Sequence, residues 1–364
     1  MKFKIAKNRF IDGLKAVQNI VAGKGSLPIM QNVMLAAQGR ELCLTTTDLD
    51  ISISSKVECE TSESGASTLP VKLLFNMIAK VPEGDVVVEI DAKEKATIRA
   101  GSVSYKIPGL PESGFPKFAK ADDNAQFTIS AAVLKEMFRK TAYAASQDDT
   151  RRTLKGVFIS FKDGRITMVA TDGRRLATVE SELEFPKESE MDVVVPSKAV
   201  QELIRSLPAE GEVKVKADNS KMCFSFEHTN IYTKLIDDKY PDYKQVIPAD
   251  MKEKIAIDRQ GLLDALDRAS IMTLDEAHST KLIFSNGKLT VCSAATDKGE
   301  AKDEVVIKYA GEKIEILFNP TYIMDCLKAI DDNEVTMEIK DSQKPAIIRC
   351  SIPFLYVLMP LRTN

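Results

Sequence analysis

Histidine is scarce: only His228 and His278 occur in 364 residues, far apart in the chain. A catalytic histidine with a local partner, or a histidine metal site, therefore has little support. The six cysteines, Cys43, Cys59, Cys223, Cys292, Cys326 and Cys350, include no C-x-x-C pair, so neither a zinc site nor a disulfide framework is suggested. They read as small buried hydrophobes of a reducing compartment. No apolar run approaches the roughly 18 residues that a membrane-spanning helix needs. Met1-Lys2-Phe3-Lys4-Ile5 alternates charged and apolar side chains and lacks the apolar stretch and cleavage site of a secretory leader, which makes the cytoplasm the expected location. No G-x-S-x-G elbow is present. Gly23-Lys24-Gly25-Ser26 has some of a phosphate loop, but Gln18 stands where the leading glycine belongs and Gly25 where Ser or Thr should follow the lysine. It reads as a flexible loop. Excess positive charge is missing too, since 50 Lys and Arg against 53 Asp and Glu leave a net charge of −3. A protein that coats nucleic acid with its whole surface is excluded, and any such contact must use a local patch.

The 44% hydrophobic and 28% charged residues are ordinary for a globular protein, and the length suits two or three domains. Three is the better count, because a weak repeat recurs about every 125 residues. Its first landmark is an opening strand leading into a helix: Phe3-Lys4-Ile5 before Leu14, Phe127-Thr128-Ile129 before Leu134, and Ile255-Ala256-Ile257 before Leu262. The second is a hairpin ending in Thr-Asp. Val33 to Leu35, Gly39, Leu42 and Leu44 lead to Thr47-Asp48, while Val157 to Ile159, Asp163-Gly164, Ile166 and Met168 lead to Thr171-Asp172. In the third copy Leu282 to Phe284, Asn286-Gly287, Leu289 and Val291 lead to Thr296-Asp297. The third landmark is a proline, Pro70, Pro196 or Pro320, expected in the first turn of a second helix, where its missing N–H leaves nothing unpaired. Alternating strands follow at Val86, Val88 and Ile90, at Val213, Val215 and Ala217, and at Val335, Met337 and Ile339. Each copy closes on an X-Pro, at Phe115-Pro116, Tyr240-Pro241 and Met359-Pro360.

Three landmarks in one order, three times over, predict an α+β chain of three repeated domains, each with two helices packed on antiparallel sheets. The boundaries are 1–121, 125–249 and 252–364, with linkers at Ala119 to Ala125 and Pro248 to Lys254. The units are too large for solenoid repeats and can each hold a core. Phe10, Leu14, Val17 and Val21 form one apolar helix stripe, and Leu134, Met137, Phe138 and Thr141 the next. The other faces carry Lys72, Asn76 and Lys80, then Lys135 and Arg139, then Lys198, Glu202 and Arg205. The third copy departs from this, with Asp264, Asp267, Asp325 and Asp332 beside Arg268 and Lys328, so a uniformly basic surface is not predicted. Recurrence of Asp48, Asp172 and Asp297 admits a carboxylate or divalent-metal site. One acid per domain at a strand end is more simply a turn former.

The segment Val169-Ala170-Thr171-Asp172-Gly173-Arg174-Arg175-Leu176-Ala177 closely resembles the bacterial beta clamp family. So do Tyr240-Pro241-Asp242-Tyr243, Val357-Leu358-Met359-Pro360-Leu361-Arg362 and Ser26-Leu27-Pro28-Ile29, and the resemblance runs the full length. It implies a DNA clamp fold: a head-to-tail homodimer ring of six similar domains that encircles duplex DNA, without catalysis, cofactor or metal, and confers processivity on the replicative polymerase. Such a rotation closes after two subunits and leaves no loose sheet edges. The same resemblance sets Tyr105 and Ile107 of one copy against Ile271 and Met272 of the other. Phosphate contacts that read no bases fall to Lys24, Lys72, Arg151, Lys198 and Arg205.

A peptide pocket between domains two and three is implied at Leu154, Thr171, Gly173, Arg175, Leu176, Pro241, Val246, Val357, Met359, Pro360 and Arg362. It would take short extended motifs with leucine or phenylalanine anchors. The implied competitors for it are the DNA polymerase III alpha subunit, the clamp loader, other clamp-binding polymerases and mismatch-repair proteins. Departures from the family pattern are Asp148, Arg152 and Thr153 in the DNA-facing loop, and Gln245, Leu361 and the Thr363-Asn364 tail near the pocket.

Overall fold

The structure is a computed structural model and describes residues 1–21, 27–116, 125–273, 279–295 and 299–361. The first repeat runs β1 (Lys2–Ala6), α1 (Lys7–Val17), β2 (Asn32–Gln38), β3 (Glu41–Thr47), β4 (Ile51–Glu58), β5 (Glu60–Glu63), β6 (Gly65–Pro70), α2 (Val71–Lys80), β7 (Asp85–Ile90), β8 (Lys95–Ala100) and β9 (Val103–Pro108). In the second come β10 (Ala125–Ser130), α3 (Ala131–Thr141), β11 (Gly156–Lys162), β12 (Arg165–Thr171), β13 (Arg175–Glu182), β14 (Met191–Pro196), α4 (Ser197–Ser206), β15 (Glu212–Ala217), β16 (Lys221–Phe226) and β17 (Thr229–Lys234). The third holds β18 (Glu253–Asp258), α5 (Arg259–Ser270), β19 (Thr280–Ser285), β20 (Lys288–Ala295), β21 (Gly299–Val306), β22 (Ile314–Phe318), α6 (Pro320–Ala329), β23 (Glu334–Ile339), β24 (Ala346–Arg349) and β25 (Phe354–Leu358). The opening strands and helices, and the first two hairpins with their Thr-Asp turns, fall where the pattern put them. Alternation in β7, β15 and β23 buries Val86, Val88 and Ile90, Val213, Val215 and Ala217, and Val335, Met337 and Ile339. Among the described residues no helix is long and apolar enough to cross a membrane.

The chain forms two compact units, Met1–Val133 with Gln201–Leu235, and Leu134–Val200 with Ile236–Asn364. Within the first lie a five-stranded sheet, β5-β1-β7-β8-β9, and an eight-stranded one, β10-β15-β16-β17-β4-β3-β2-β6. The second contains β14-β11-β12-β13-β25-β24-β23-β18 and the four-stranded β21-β20-β19-β22. Each eight-stranded sheet is two repeats joined by one antiparallel seam, β17 on β4 or β25 on β13. Against these sheets the helices turn their apolar stripes: Phe10, Leu14 and Val17 of α1 and Leu262, Ala265 and Leu266 of α5 are buried. Val21 falls beyond the end of α1, and Ile20 takes the buried place.

Only Pro320 occupies the first helical position. Pro70 and Pro196 are instead the last residues of β6 and β14, immediately before α2 and α4. Both strands are sheet edges, where a residue without an N–H leaves no ladder bond unmade. Glu253 and Lys254, at the end of the expected second linker, already belong to β18.

The Thr-Asp pairs are turn staples. Thr47 Oγ1 donates to Ile51 O (2.9 Å) and accepts from Leu49 N (3.2 Å), while Asp48 Oδ1 accepts from Asp50 N (3.1 Å) and Ile51 N (2.8 Å). The second copy repeats this bond for bond: Thr171 Oγ1 to Arg175 O (2.6 Å), Gly173 N to Thr171 Oγ1 (3.1 Å), and Arg174 N and Arg175 N to Asp172 Oδ1 (2.8 and 3.0 Å). Thr296-Asp297 lies outside the described residues. This geometry needs a left-handed third residue, which is Gly173 (φ +84°) in one copy and Leu49 (φ +80°) in the other. A left-handed leucine costs about 1–2 kcal/mol, against about 0.5–1 kcal/mol for the extra freedom that glycine gives the unfolded chain. Leu49→Gly is therefore expected to be stabilising by on the order of 0.5 kcal/mol, and Gly173→Leu destabilising by about 2 kcal/mol. Urea denaturation midpoints of the two variants test the opposite signs.

Candidate functional site

Beside the β13–β25 seam, where Leu176 faces Val357, the second unit gathers an apolar cluster. Val169, Leu176, Val194, Tyr240 and Val357 are its buried members, and Leu154, Phe158, Ile236, Tyr243, Ile247 and Leu355 pack against them. Phe158 stacks on Tyr240 at 5.0 Å and leans on Tyr243 at 6.0 Å. Burial raises both tyrosine phenols above their ordinary range. Leu154 also lines an open cavity of about 390 Å³ with Thr150, Arg151, Arg152, Thr153, Asp238 and Pro241. Two apolar side chains nearby in sequence stay largely in solvent, Val246 at 52% and Met359 at 43% exposure. Met359 is fixed by its backbone N–H, which donates to Arg174 O (2.9 Å). An apolar floor, an open cavity and exposed apolar side chains suit a short extended segment with apolar anchors.

Arg175 is turned into the protein, with its side chain 10% exposed. Its Nε donates to Asp172 Oδ2 (3.1 Å), Nη1 to Asp325 Oδ2 (2.7 Å) and Nη2 to Tyr143 O (2.7 Å). The guanidinium carbon lies 4.3 Å from the centre of the Tyr322 ring. Burial opposes the charge, but Tyr356, Asp325 and Asp172 outweigh it and hold the Arg175 pKa above its ordinary value.

Leu154, Leu176 and Val357 thus share one cluster, Pro241 lies on the cavity, and Thr171, Gly173 and Arg175 form the turn. Pro360 is half-buried just past β25, and Arg362 lies outside the described residues. Sequence reasoning missed Phe158, Val169, Val194, Ile236 and Tyr240. The Tyr-Pro-Asp-Tyr motif signalled Tyr240 and the segment opening at Val169 signalled that residue, whereas Phe158, Val194 and Ile236 carried no motif. Arg151, grouped with the phosphate contacts, sits on the cavity and donates to Asp172 O (3.0 Å).

Of the other phosphate candidates, Lys24 lies outside the described residues. Lys72 is exposed on α2 with Asn76 and Lys80, and α4 exposes Lys198 and Arg205. Arg205 is held by Glu202, whose buried carboxylate accepts from Arg205 Nη1 (2.6 Å), Ser206 Oγ (3.1 Å) and Asn19 Nδ2 (3.5 Å). α5 exposes Asp264, Asp267 and Arg268, the last paired with Asp303 (2.6 Å). Tyr105 is half-buried and Ile107 buried on the edge strand β9, while Ile271 is 58% exposed in the turn after α5, beside half-buried Met272. Among the described residues no group of His, Cys, Asp or Glu is arranged to hold a metal ion.

Three family models match the chain in succession: the N-terminal domain of the DNA polymerase III beta subunit at residues 1–119, its central domain at 128–242 and its C-terminal domain at 244–362. The chain belongs to the DNA polymerase III beta subunit family, the bacterial sliding clamps. It is 33% identical to the beta sliding clamp of Chlamydia muridarum and 30% identical to that of Pseudomonas aeruginosa, in each case over 100% of both chains. Among solved structures, a sliding clamp from Bartonella birtlesii bound to griselimycin matches with a TM-score of 0.95 at 31% identity, covering 100% of both chains. The sliding clamp from Bacillus subtilis matches with a TM-score of 0.95 at 25% identity, again over 100% of both chains. The three repeats are clamp domains, and the protein is a sliding clamp of DNA replication, a processivity factor.

Where the first clamp domain meets the second, the buried acid Glu202 is the costly element. Glu202→Ala strands Asn19 and Ser206 and is expected to lower stability by about 2 kcal/mol. Arg205→Ala leaves that carboxylate buried with Asn19 and Ser206 as its remaining donors, and should cost about as much. Thermal melting of both variants checks the two losses.

Proposed function

We propose that two copies of this clamp close head to tail into a ring around duplex DNA, and that the pocket beside β13 and β25 holds partner proteins on it. The supporting observation is that both seams within the chain share one register. β17 sets Thr229 to Thr233 against Ser55 to Ile51, and β25 sets Phe354 to Leu358 against Val179 to Arg175, position for position in the repeat. By the same repeat β9 corresponds to β17 and β25, and β21 to β4 and β13. Both β9 and β21 are sheet edges, so a third seam of this kind fits between copies. Carrying the register across sets Tyr105 opposite Ala301, Lys106 opposite Glu300 and Ile107 opposite Gly299 of the second copy. Lys106 and Glu300 are both exposed and of opposite charge. Ile271 and Met272 follow α5 in a turn packed on β20, close enough to β21 in the same sheet to extend the contact.

The domains of this reading are 1–121, 125–249 and 252–364. Lys24, Lys72, Arg151, Lys198 and Arg205 meet phosphates without reading bases, which leaves the grip sequence-independent and salt-sensitive. Acids on α5 keep that grip from becoming tight. The protein works in the cytoplasm and carries out no chemistry of its own. Its pocket accepts leucine or phenylalanine anchors from the DNA polymerase III alpha subunit, the clamp loader, other polymerases and mismatch-repair proteins in turn.

Protein loaded by its ATPase should remain on nicked circular DNA and run off once the circle is linearised. Equal retention on both forms would defeat the topological reading. For the seam, Lys106→Glu or Glu300→Lys alone should weaken the dimer about tenfold, with the double reversal recovering most of the loss. Sedimentation equilibrium gives the answer, and a double variant no tighter than either single one would refute the register.

A further inference from the structure

We infer that Asp264 and Asp267 of α5 present a repulsive face to the duplex, so that the first two domains hold the phosphates and the third keeps them at a distance. The inference rests on the ring reading above and adds to it the side chains that limit the strength of the grip.

Buried stripes set the first helix of each repeat in one register: Phe10 and Leu14 in α1, Leu134 and Phe138 in α3, Leu262 and Leu266 in α5. Counted from these, one outward position is acidic throughout, as Asp12, Glu136 and Asp264. The position one turn on is Lys15, then Arg139, then Asp267. Its sign reverses only in α5. In α3 the pair closes on itself, with Arg139 Nε donating to Glu136 (2.8 Å). In α5 two exposed carboxylates stand three residues apart on one face, where like charges repel.

The neighbouring cation does not cancel them. Arg268 turns to Asp303 of β21 (2.6 Å), and that hydrogen bond holds the Asp303 carboxyl below its usual range. Asp264 accepts from Gln260 Nε2 (2.7 Å), a neutral donor, and among the described residues the Asp267 side chain has no partner. The helix packed on α5 offers little compensation. In α6, Tyr322 stands where α2 has Lys72 and α4 has Lys198, and Ala329 stands where α4 has Arg205, which leaves Lys328 as its exposed cation. All five phosphate candidates accordingly belong to the first two domains.

Exposed charges act over about 10 Å at 0.1 M salt, so a phosphate that nears α5 meets two carboxylates before any cation. Each further phosphate contact would add a counterion-release gain that encirclement makes unnecessary and that sliding must break.

The test measures binding of the full-length clamp to a short linear duplex over a salt series, and sliding of the loaded ring on long DNA. Asp267→Lys gives α5 the charge that α1 and α3 carry. It should tighten duplex binding about fivefold at low salt and slow sliding by a few-fold. The plot of log affinity against log salt should steepen by about 2, at roughly 0.9 for each new phosphate contact and one contact from each copy. Asp264→Asn should tighten binding about twofold. Glu188→Lys makes the same change of charge at an exposed position between β13 and β14, and should leave affinity, slope and sliding as they are. Unchanged affinity and slope in Asp267→Lys overturn the inference, and so does an equal effect of Glu188→Lys, which would reduce it to net charge. If Asp267→Lys does not fold, Asp264→Asn against Glu188→Lys decides on the same readouts. A wild-type clamp retained equally on nicked circles and on linear DNA would instead sink the ring reading, which separates the two failures.

Discussion

Antiparallel pairing across domain boundaries is the interaction on which the rest of this structure depends. A four-stranded half-sheet from one repeat ends in unpaired N–H and C=O groups, and the next repeat supplies the strand that satisfies them, β17 on β4 and β25 on β13. Because both seams hold one register, each also fixes where the Thr-Asp turn falls relative to the neighbouring repeat. The proposed pocket of the second unit is hung on that alignment: Leu176 meets Val357, and Arg174 reaches Met359.

Sheet pairing does not by itself settle the gap between the seam and the helices, and each unit fills it with a polar group. In the first unit the buried Glu202 takes hydrogen bonds from Asn19, Arg205 and Ser206. At the corresponding positions of the second, Cys326 is fully buried and burial raises its thiol pKa and that of the Tyr143 phenol, so both stay neutral. The charge has moved to Arg175, Asp172 and Asp325 at the turn itself. Desolvating a carboxylate or a guanidinium is tolerable only with several hydrogen bonds each, which both units provide.

This explains how much was legible in the sequence. The repeat, the strands and the apolar helix faces follow from periodicity and turn residues, and they were readable because burial imposes them locally. Placing Pro70 and Pro196 inside α2 and α4 failed by one residue, since β6 and β14 run on to the proline, whereas β22 stops at Phe318 and leaves Asn319 to cap α6. Tyr240 was signalled by its motif, but Phe158 and Val194 lie on β11 and β14 and gain meaning only when the hairpins stack beside the seam. Arg175 could be matched to a pocket position, whereas its partners Asp325 and Tyr143 lie far away in the chain, and no spacing rule links them.

The two seams also differ in how much apolar area they leave at the turn, and that difference is what the proposed pocket rests on. At the first, Met30, at the position of Leu154, is buried, and Lys234, at the position of Met359, donates to Asp50 (3.1 Å) at the surface. An edge of that kind is already satisfied, by packing below and charge above, and gains little from an apolar visitor. At the second, Leu154 is only partly buried and Met359 is 43% exposed. Apolar area left in water is the reservoir from which a docking side chain draws its affinity, at about 25 cal/mol per Å² removed from solvent. Beside that area the buried Arg175 is paired with Asp325 (2.7 Å), so the turn that borders it is tied to α6 by an ionic hydrogen bond.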